Sequence, residues 1–132
     1  MKNQTYFISD VHLGAPSIDL SQDRERRLVS FLQSIAEHCE RLFIVGDLFD
    51  YWFEYKHVVP RGHTRLLGQL AQMVDDGMEL HIFVGNHDLW MGNYLVEEIG
   101  AAIHYKPLIW EVPGTSLRYY IAHGDGLGPG DR

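Results

Sequence analysis

Eight polar residues, gathered at four places along this 132-residue chain, are of the types that bind divalent metals or move protons. Asp10 and His12 bracket Val11, Asp47 follows Gly46, Asn86-His87-Asp88 follow Gly85, and His123 and Asp125 flank Gly124. Carboxylate, imidazole and carboxamide groups suit hard to borderline divalent ions. In Asp10-Val11-His12 both side chains leave an extended segment on the same face, and two groups on one face can serve one ion. Gly85 permits a sharp turn ahead of three consecutive polar side chains. Each cluster taken singly has a plainer reading. A D-x-H triplet is unremarkable in a chain with eight histidines, Gly46-Asp47 suits an ordinary turn, and the other two suit polar turns. What sets the four clusters apart is that they occur in series in the same setting.

That setting is the end of a short apolar run. Tyr6-Phe7-Ile8-Ser9, Leu42-Phe43-Ile44-Val45, His81-Ile82-Phe83-Val84 and Tyr119-Tyr120-Ile121-Ala122 each lead straight into one cluster. Runs of this length and composition are buried-strand candidates. In an α/β sheet, ligands bind in the crevice beyond the carboxyl ends of the strands. All four clusters can therefore converge on one site.

Helical patterns separate the runs. Between Ser21 and Glu40, Leu28, Leu32, Ile35 and Cys39 recur at helical spacing with Val29 and Ala36 alongside, and acidic residues near the start suit the helix dipole. A second helix is expected from about Thr64 to Asp76, with Leu66, Leu67, Leu70, Met73 and Val74 inward and Gly77 as its stop. A third runs from about Asn93 to Ile99 and ends at Gly100. Short strands follow around Ala102–His104, Leu108–Val112 and Leu117–Ala122, with Pro113-Gly114 turning between the last two. The order β-α-β-α-β-α implies an α/β fold with a mostly parallel sheet flanked by helices and antiparallel strands toward the C-terminus.

Composition narrows the class. With 45% hydrophobic and 22% charged residues, the chain reads as one globular domain able to bury a core. A formal charge of -7 argues against a nucleic-acid partner, which calls for a basic face. A single cysteine, Cys39, excludes an internal disulfide and fits a reducing compartment. The first strand begins by about residue 5, leaving no room for a signal peptide, and no stretch approaches the ~18 apolar residues of a membrane span. A cytoplasmic protein is expected, with peripheral contact at a membrane left open. The closing run Gly124-Asp125-Gly126-Leu127-Gly128-Pro129-Gly130-Asp131-Arg132 has no element to dock, so a chain cut in mid-fold is expected.

The order D-x-H, G-D, G-N-H-D, H-G-D resembles the calcineurin-like metallophosphoesterase superfamily. The resemblance implies the first half of an α-β-β-α sandwich holding two divalent metal ions. It implies that Asp10 and His12 bind the first ion, Asn86 and His123 the second, and Asp47 both. Ser9-Asp10-Val11-His12-Leu13-Gly14, Gly46-Asp47-Leu48-Phe49-Asp50 and His123-Gly124-Asp125-Gly126-Leu127 with Asp131 look more narrowly like UDP-2,3-diacylglucosamine hydrolases. That family cleaves the pyrophosphate of a UDP-linked diacyl sugar to UMP and a lipid monosaccharide phosphate in lipid A synthesis. Its relatives commonly use Mn²⁺, and the ligand set also accepts Fe or Zn. The resemblance places Asn86, His87 and Asp131 at the substrate and His87 with Asp88 in catalysis. A diacyl substrate would bring the protein to the inner face of the inner membrane.

Two departures stand out. The family's final G-H-x-H motif, one histidine per ion, is absent, leaving three protein ligands for each metal. The chain by itself is therefore expected to hydrolyse little. His87 occupies a position where members of the hydrolase family have arginine and broader phosphoesterases have a proton-donating histidine. Two alternatives follow: a phosphatase or phosphodiesterase on a smaller soluble substrate, and an inactive metal-binding or interaction module. His38, His57, His63, His81 and His104 match no cluster and are expected at the surface or satisfied in the interior. Tyr51-Trp52-Phe53-Glu54-Tyr55, and Trp90 with Met91, could wall a substrate pocket or form a satellite apolar cluster.

Overall fold

The structure, a computed structural model, describes residues 2–9, 18–45, 63–84 and 94–122. In chain order these form β1 (Gln4–Ile8), α1 (Ile18–Ile35), β2 (Cys39–Val45), α2 (Thr64–Asp75), β3 (Glu79–Phe83), α3 (Tyr94–Ile99), β4 (Ala102–His104), β5 (Leu108–Glu111) and β6 (Arg118–Ile121). The first four strands make a parallel sheet in the order β1-β2-β3-β4, and β5 with β6 make a separate antiparallel pair. This is the mostly parallel α/β arrangement expected from the alternation of runs.

Sequential strand order has a consequence for the helices. Right-handed crossovers between successive neighbours place every connecting helix on the same face of the sheet. The core agrees. Leu32 and Ile35 of α1, Leu66, Leu70 and Met73 of α2, and Leu95 and Ile99 of α3 are buried in one cluster with Leu42, Ile44, Leu80 and Ile82 of the sheet. On the opposite face Phe43 and Phe83 are buried with Ile121 of β6, and Leu108 and Trp110 of β5 pack against them. The molecule is layered as helices, parallel sheet and antiparallel hairpin.

The sheet built from the runs of Ile8, Ile44, Phe83 and Ile121 is expected to have one face without a full covering layer. The structure divides them. Ile8 lies beside Ile44 and Ile44 beside Ile82, so strand alternation sends these toward the helices and Phe83 to the other side with Ile121. Among the described residues, most of the exposed large apolar side chains are on the hairpin side. Phe7 is 47% exposed, and Ile109 and Tyr120, opposite each other on the outer hairpin face, are 59% and 62% exposed.

Cys39 also moves. Its helical spacing from Ile35 places it in the first helix by pattern, but α1 ends at Ile35 and Cys39 opens β2, fully buried on the helix side. A bulge follows: Gln4 pairs with Cys39 but Thr5 pairs with Arg41. The extra residue, Glu40, reverses the facing, so Cys39 points to the helices and Arg41 lies over the Trp110 ring at 5.0 Å.

Helix ends follow local chemistry. At the end of α2 the Met78 N–H donates to the Met73 carbonyl and the Gly77 N–H to Val74, at 3.0 and 2.9 Å. Gly77 has φ 107°, and Met73 and Met78 are both buried, which is a Schellman closure. Its other end begins at His63, which has φ 61° and caps nothing with its ring. The cap comes from α1 instead, where the buried Glu25 carboxylate accepts the Leu66 N–H at 2.9 Å. A carboxylate at a helix N-terminus satisfies an orphan donor and meets the positive end of the dipole.

Candidate metal centre

The strands that precede the first three clusters end together. Ile8 pairs with Ile44, and Val45 with Phe83, so β1, β2 and β3 finish within one residue of each other along a single edge. Neighbouring strands lie about 4.8 Å apart, so the three chain exits span roughly 10 Å. Asp10 is two residues beyond Ile8, Asp47 two beyond Val45, and Asn86 two beyond Val84. β2 stands between β1 and β3. The fourth exit is delivered by packing, not by pairing. Ile121, at the end of β6, is 5% exposed and packs with Phe43 and Phe83, and His123 is two residues further on.

The side chains named from the sequence lie outside the described residues: Asp10, His12, Asp47, Asn86, His87, Asp88, His123 and Asp131. So do Asp125, the run Tyr51-Trp52-Phe53-Glu54-Tyr55, and Trp90 with Met91. Among the described residues, no three His, Cys, Asp or Glu side chains gather closely enough to hold a metal ion. The described residues supply the elements that lead toward the four clusters: three parallel strand ends and one hairpin end.

Behind that edge lies an aromatic cluster. Phe43, fully buried at the middle of the sheet, stacks on Phe7 at 4.9 Å and on His81 at 4.8 Å, with Trp110 at 5.2 Å. Toward the far end of the strands Arg41 pairs with Glu79, reaches Thr5 Oγ1 at 3.3 Å, and lies over the Trp110 ring. This polar knot holds β1, β2, β3 and the hairpin to one another.

Two histidines that the motifs left unassigned prove to be partners. His81 Nδ1 and His104 Nε2 are 2.9 Å apart across β3 and β4, and their rings stack on Phe43 and Phe83. Burial lowers the pKa of His81, reinforced by His104, opposed by Glu79 and reinforced again by Arg41. Burial also lowers that of His104. His63 is lowered by burial against the opposing pull of Glu25, and the buried Cys39 thiol is pushed up, chiefly by burial. Strand alternation in Glu79-Leu80-His81-Ile82-Phe83 was the one available signal that His81 faces away from the helices. Its partner could be found only from register.

The sequence is similar to known proteins along almost its whole length. Over 125 residues the chain is 45% identical to the UDP-2,3-diacylglucosamine hydrolase of Porphyromonas gingivalis, covering 95% of this chain and 47% of that protein. It is 32% identical over 123 residues to the UDP-2,3-diacylglucosamine hydrolase of Nitrosococcus oceani, covering 93% and 46%. It is 32% identical over 127 residues to that of Haemophilus influenzae, covering 93% and 49%. The chain spans about half the length of these curated relatives. The calcineurin-like phosphoesterase family matches from residue 4 to residue 129, across every strand end that precedes one of the four polar clusters, and the chain belongs to that family.

Proposed function

We propose that this chain carries the metal-binding part of a dinuclear metallophosphohydrolase that cleaves the pyrophosphate of UDP-2,3-diacylglucosamine, giving UMP and a diacylglucosamine 1-phosphate. The observation that carries the reading is the shared edge at which β1, β2 and β3 end in register. The named activity of the relatives supports the substrate.

The donor set of Asp10, His12, Asp47, Asn86 and His123 fits two divalent ions, with Mn²⁺ first and Fe or Zn accepted by the same donors. Bound there, such ions supply Lewis acidity and a water of lowered pKa for in-line attack at phosphorus. Asp10 and His12 would hold one ion, Asn86 and His123 the other, and Asp47 both, because a carboxylate has an oxygen for each. The central place of β2 in the sheet supports Asp47 as the shared ligand. His87, next to Asp88, would stand protonated and anchor a substrate phosphate, while Asp131 would contact substrate. UMP is a weakly basic leaving group, so proton donation contributes little to its departure.

His87 also favours a second reading, a phosphatase or phosphodiesterase on a smaller soluble substrate. An alkoxide leaving group gains about 10²–10⁴-fold from a general acid, and histidine is the residue suited to that task. With the lipid substrate, the protein would be cytoplasmic and peripheral at the inner face of the inner membrane. Among the described residues no helix is long and apolar enough to cross a membrane.

The test is a graft. Residues 1–132 replace the matching segment of the Porphyromonas gingivalis relative, and UMP release from UDP-2,3-diacylglucosamine is measured with and without Mn²⁺. Metal-dependent release that Asp47→Ala abolishes is expected. A folded graft that cleaves alkyl phosphates but leaves the UDP-sugar intact would move the assignment to the second reading.

A further inference from the structure

Among the described residues β4 stands at the edge of the parallel sheet, and it is only three residues long. Its backbone pairs with β3 through His81, Ile82 and Phe83, and the Val84 N–H donates to the His104 carbonyl at 3.0 Å. Val84 is the last described residue before Gly85-Asn86-His87-Asp88. The only side-chain hydrogen bond found across this seam among the described residues joins His81 Nδ1 and His104 Nε2 at 2.9 Å, with the rings stacked 19° from parallel.

We propose that His81 and His104 form a proton-sensitive latch that holds β4 to β3 and, through the His104 carbonyl, fixes Val84 where the chain leaves for the G-N-H-D cluster. The contact needs an N–H on one nitrogen and a lone pair on the other. Two neutral imidazoles satisfy it, and so does a pair carrying one extra proton. A second proton puts N–H groups on both facing nitrogens, removes the acceptor and sets two like charges side by side.

The surroundings offer limited relief. On the same sheet face, β2 presents Arg41, which opposes a charge on His81, and β3 presents Glu79, which favours it. Glu79 is already engaged by Arg41. β4 adds Ala102. The hairpin presents Trp110 to Phe43, while its charged pair, Glu111 and Arg118, sits one position along, on the outer face. The helices lie across the sheet. Burial lowers both histidines below the ordinary value near 6.5. The contact is therefore whole above that value, survives the first proton, and is lost as pH falls through the lower of the two depressed values.

The inference concerns backbone order and stands apart from any turnover. The test is imidazole NMR and amide exchange on the full 132-residue chain between about pH 7.5 and about pH 5, across the histidine range. The two rings should titrate as a coupled pair in two steps. Protection of the Val84 amide should fall about tenfold for each unit by which the second protonation is depressed, while the Ile44 amide keeps its protection. His104→Gln keeps a polar side chain without the proton, and Val84 protection should then be flat with pH. His81→Gln should behave alike and serves if the first variant does not fold. Independent one-step titrations, a pH-independent Val84 in the natural chain, or an undiminished pH response in the glutamine variants would overturn the latch.

Discussion

His87 is where a single residue separates two chemistries. As a cationic anchor it is replaceable by arginine, which adds a permanent charge and a bidentate fork. As a general acid it is not. In the graft, His87→Arg is expected to keep most UMP release, and His87→Ala to raise KM. Steady-state kinetics on the UDP-sugar and on an alkyl phosphate check this, and an arginine variant as impaired as alanine on the UDP-sugar would remove the anchor role. Glu25 makes a different kind of contribution, through structure alone. Its carboxylate, 6% exposed, is the cap of a helix other than its own. Glu25→Ala leaves the Leu66 N–H buried without an acceptor and should cost about 1–3 kcal/mol. Glu25→Gln, whose amide oxygen still accepts, should cost less. Urea unfolding of the two variants measures the difference, and equal losses would mean that hydrogen bonding at Leu66 is not what Glu25 provides.

At the scale of elements, the ends of α2 and α3 invite a paired comparison. Gly77 and Gly100 both have positive φ, 107° and 90°, so alanine is strained at either. A Cβ at Gly77 would meet nothing within 4 Å, whereas one at Gly100 would come within 3.1 Å of Val74 Cγ1. Gly77→Ala should cost about 1–2 kcal/mol from backbone strain alone. Gly100→Ala should cost more, because α2 and α3 must part slightly as well. Thermal or urea unfolding orders the two, and the reverse order would show that Val74 yields freely. These elements are also where sequence patterning did best. The Gly77 and Gly100 stops, the Pro113-Gly114 turn and the β4 boundaries are set by local backbone chemistry, which is written in adjacent residues. Patterning failed at Cys39, because spacing from Ile35 imitates a helix while the turn at residues 36–38 had no proline or glycine to announce it.

Across the whole molecule, apolar surface is divided unevenly between the two faces of the parallel sheet. The helix side is closed by three amphipathic helices. Among the described residues, the other side is covered by a two-stranded hairpin, an assembly that is marginal by itself. Phe7 remains half exposed beside Trp110 and Tyr119, and Ile109, Leu117 and Tyr120 are more than half exposed. Patches of several hundred Å² on a soluble protein mark interfaces or promote association. The 132-residue chain should therefore self-associate as its concentration rises, and Ile109→Lys with Tyr120→Glu should reduce this. Sedimentation velocity across a concentration series checks it. A natural chain that stays monomeric throughout would show that the patch is too small to act.

The sequence by itself determined the residue types, most of the elements and the family, because each depends on neighbours along the chain: apolar runs make strands, glycines end helices, and clusters of metal-type residues follow the strand-forming runs. Tertiary structure decided what lies beside what. Strand order placed β2, and with it the exit toward Asp47, between the exits toward Asp10 and Asn86. The Glu40 bulge decided which face Arg41 joins, and alternation within aligned strands separated Ile8 and Ile44 from Phe83 and Ile121. His81 and His104, 23 residues apart, became partners only through the register of β3 against β4. No local pattern encodes such a pairing, since it depends on how two strands slide until both of their faces are buried.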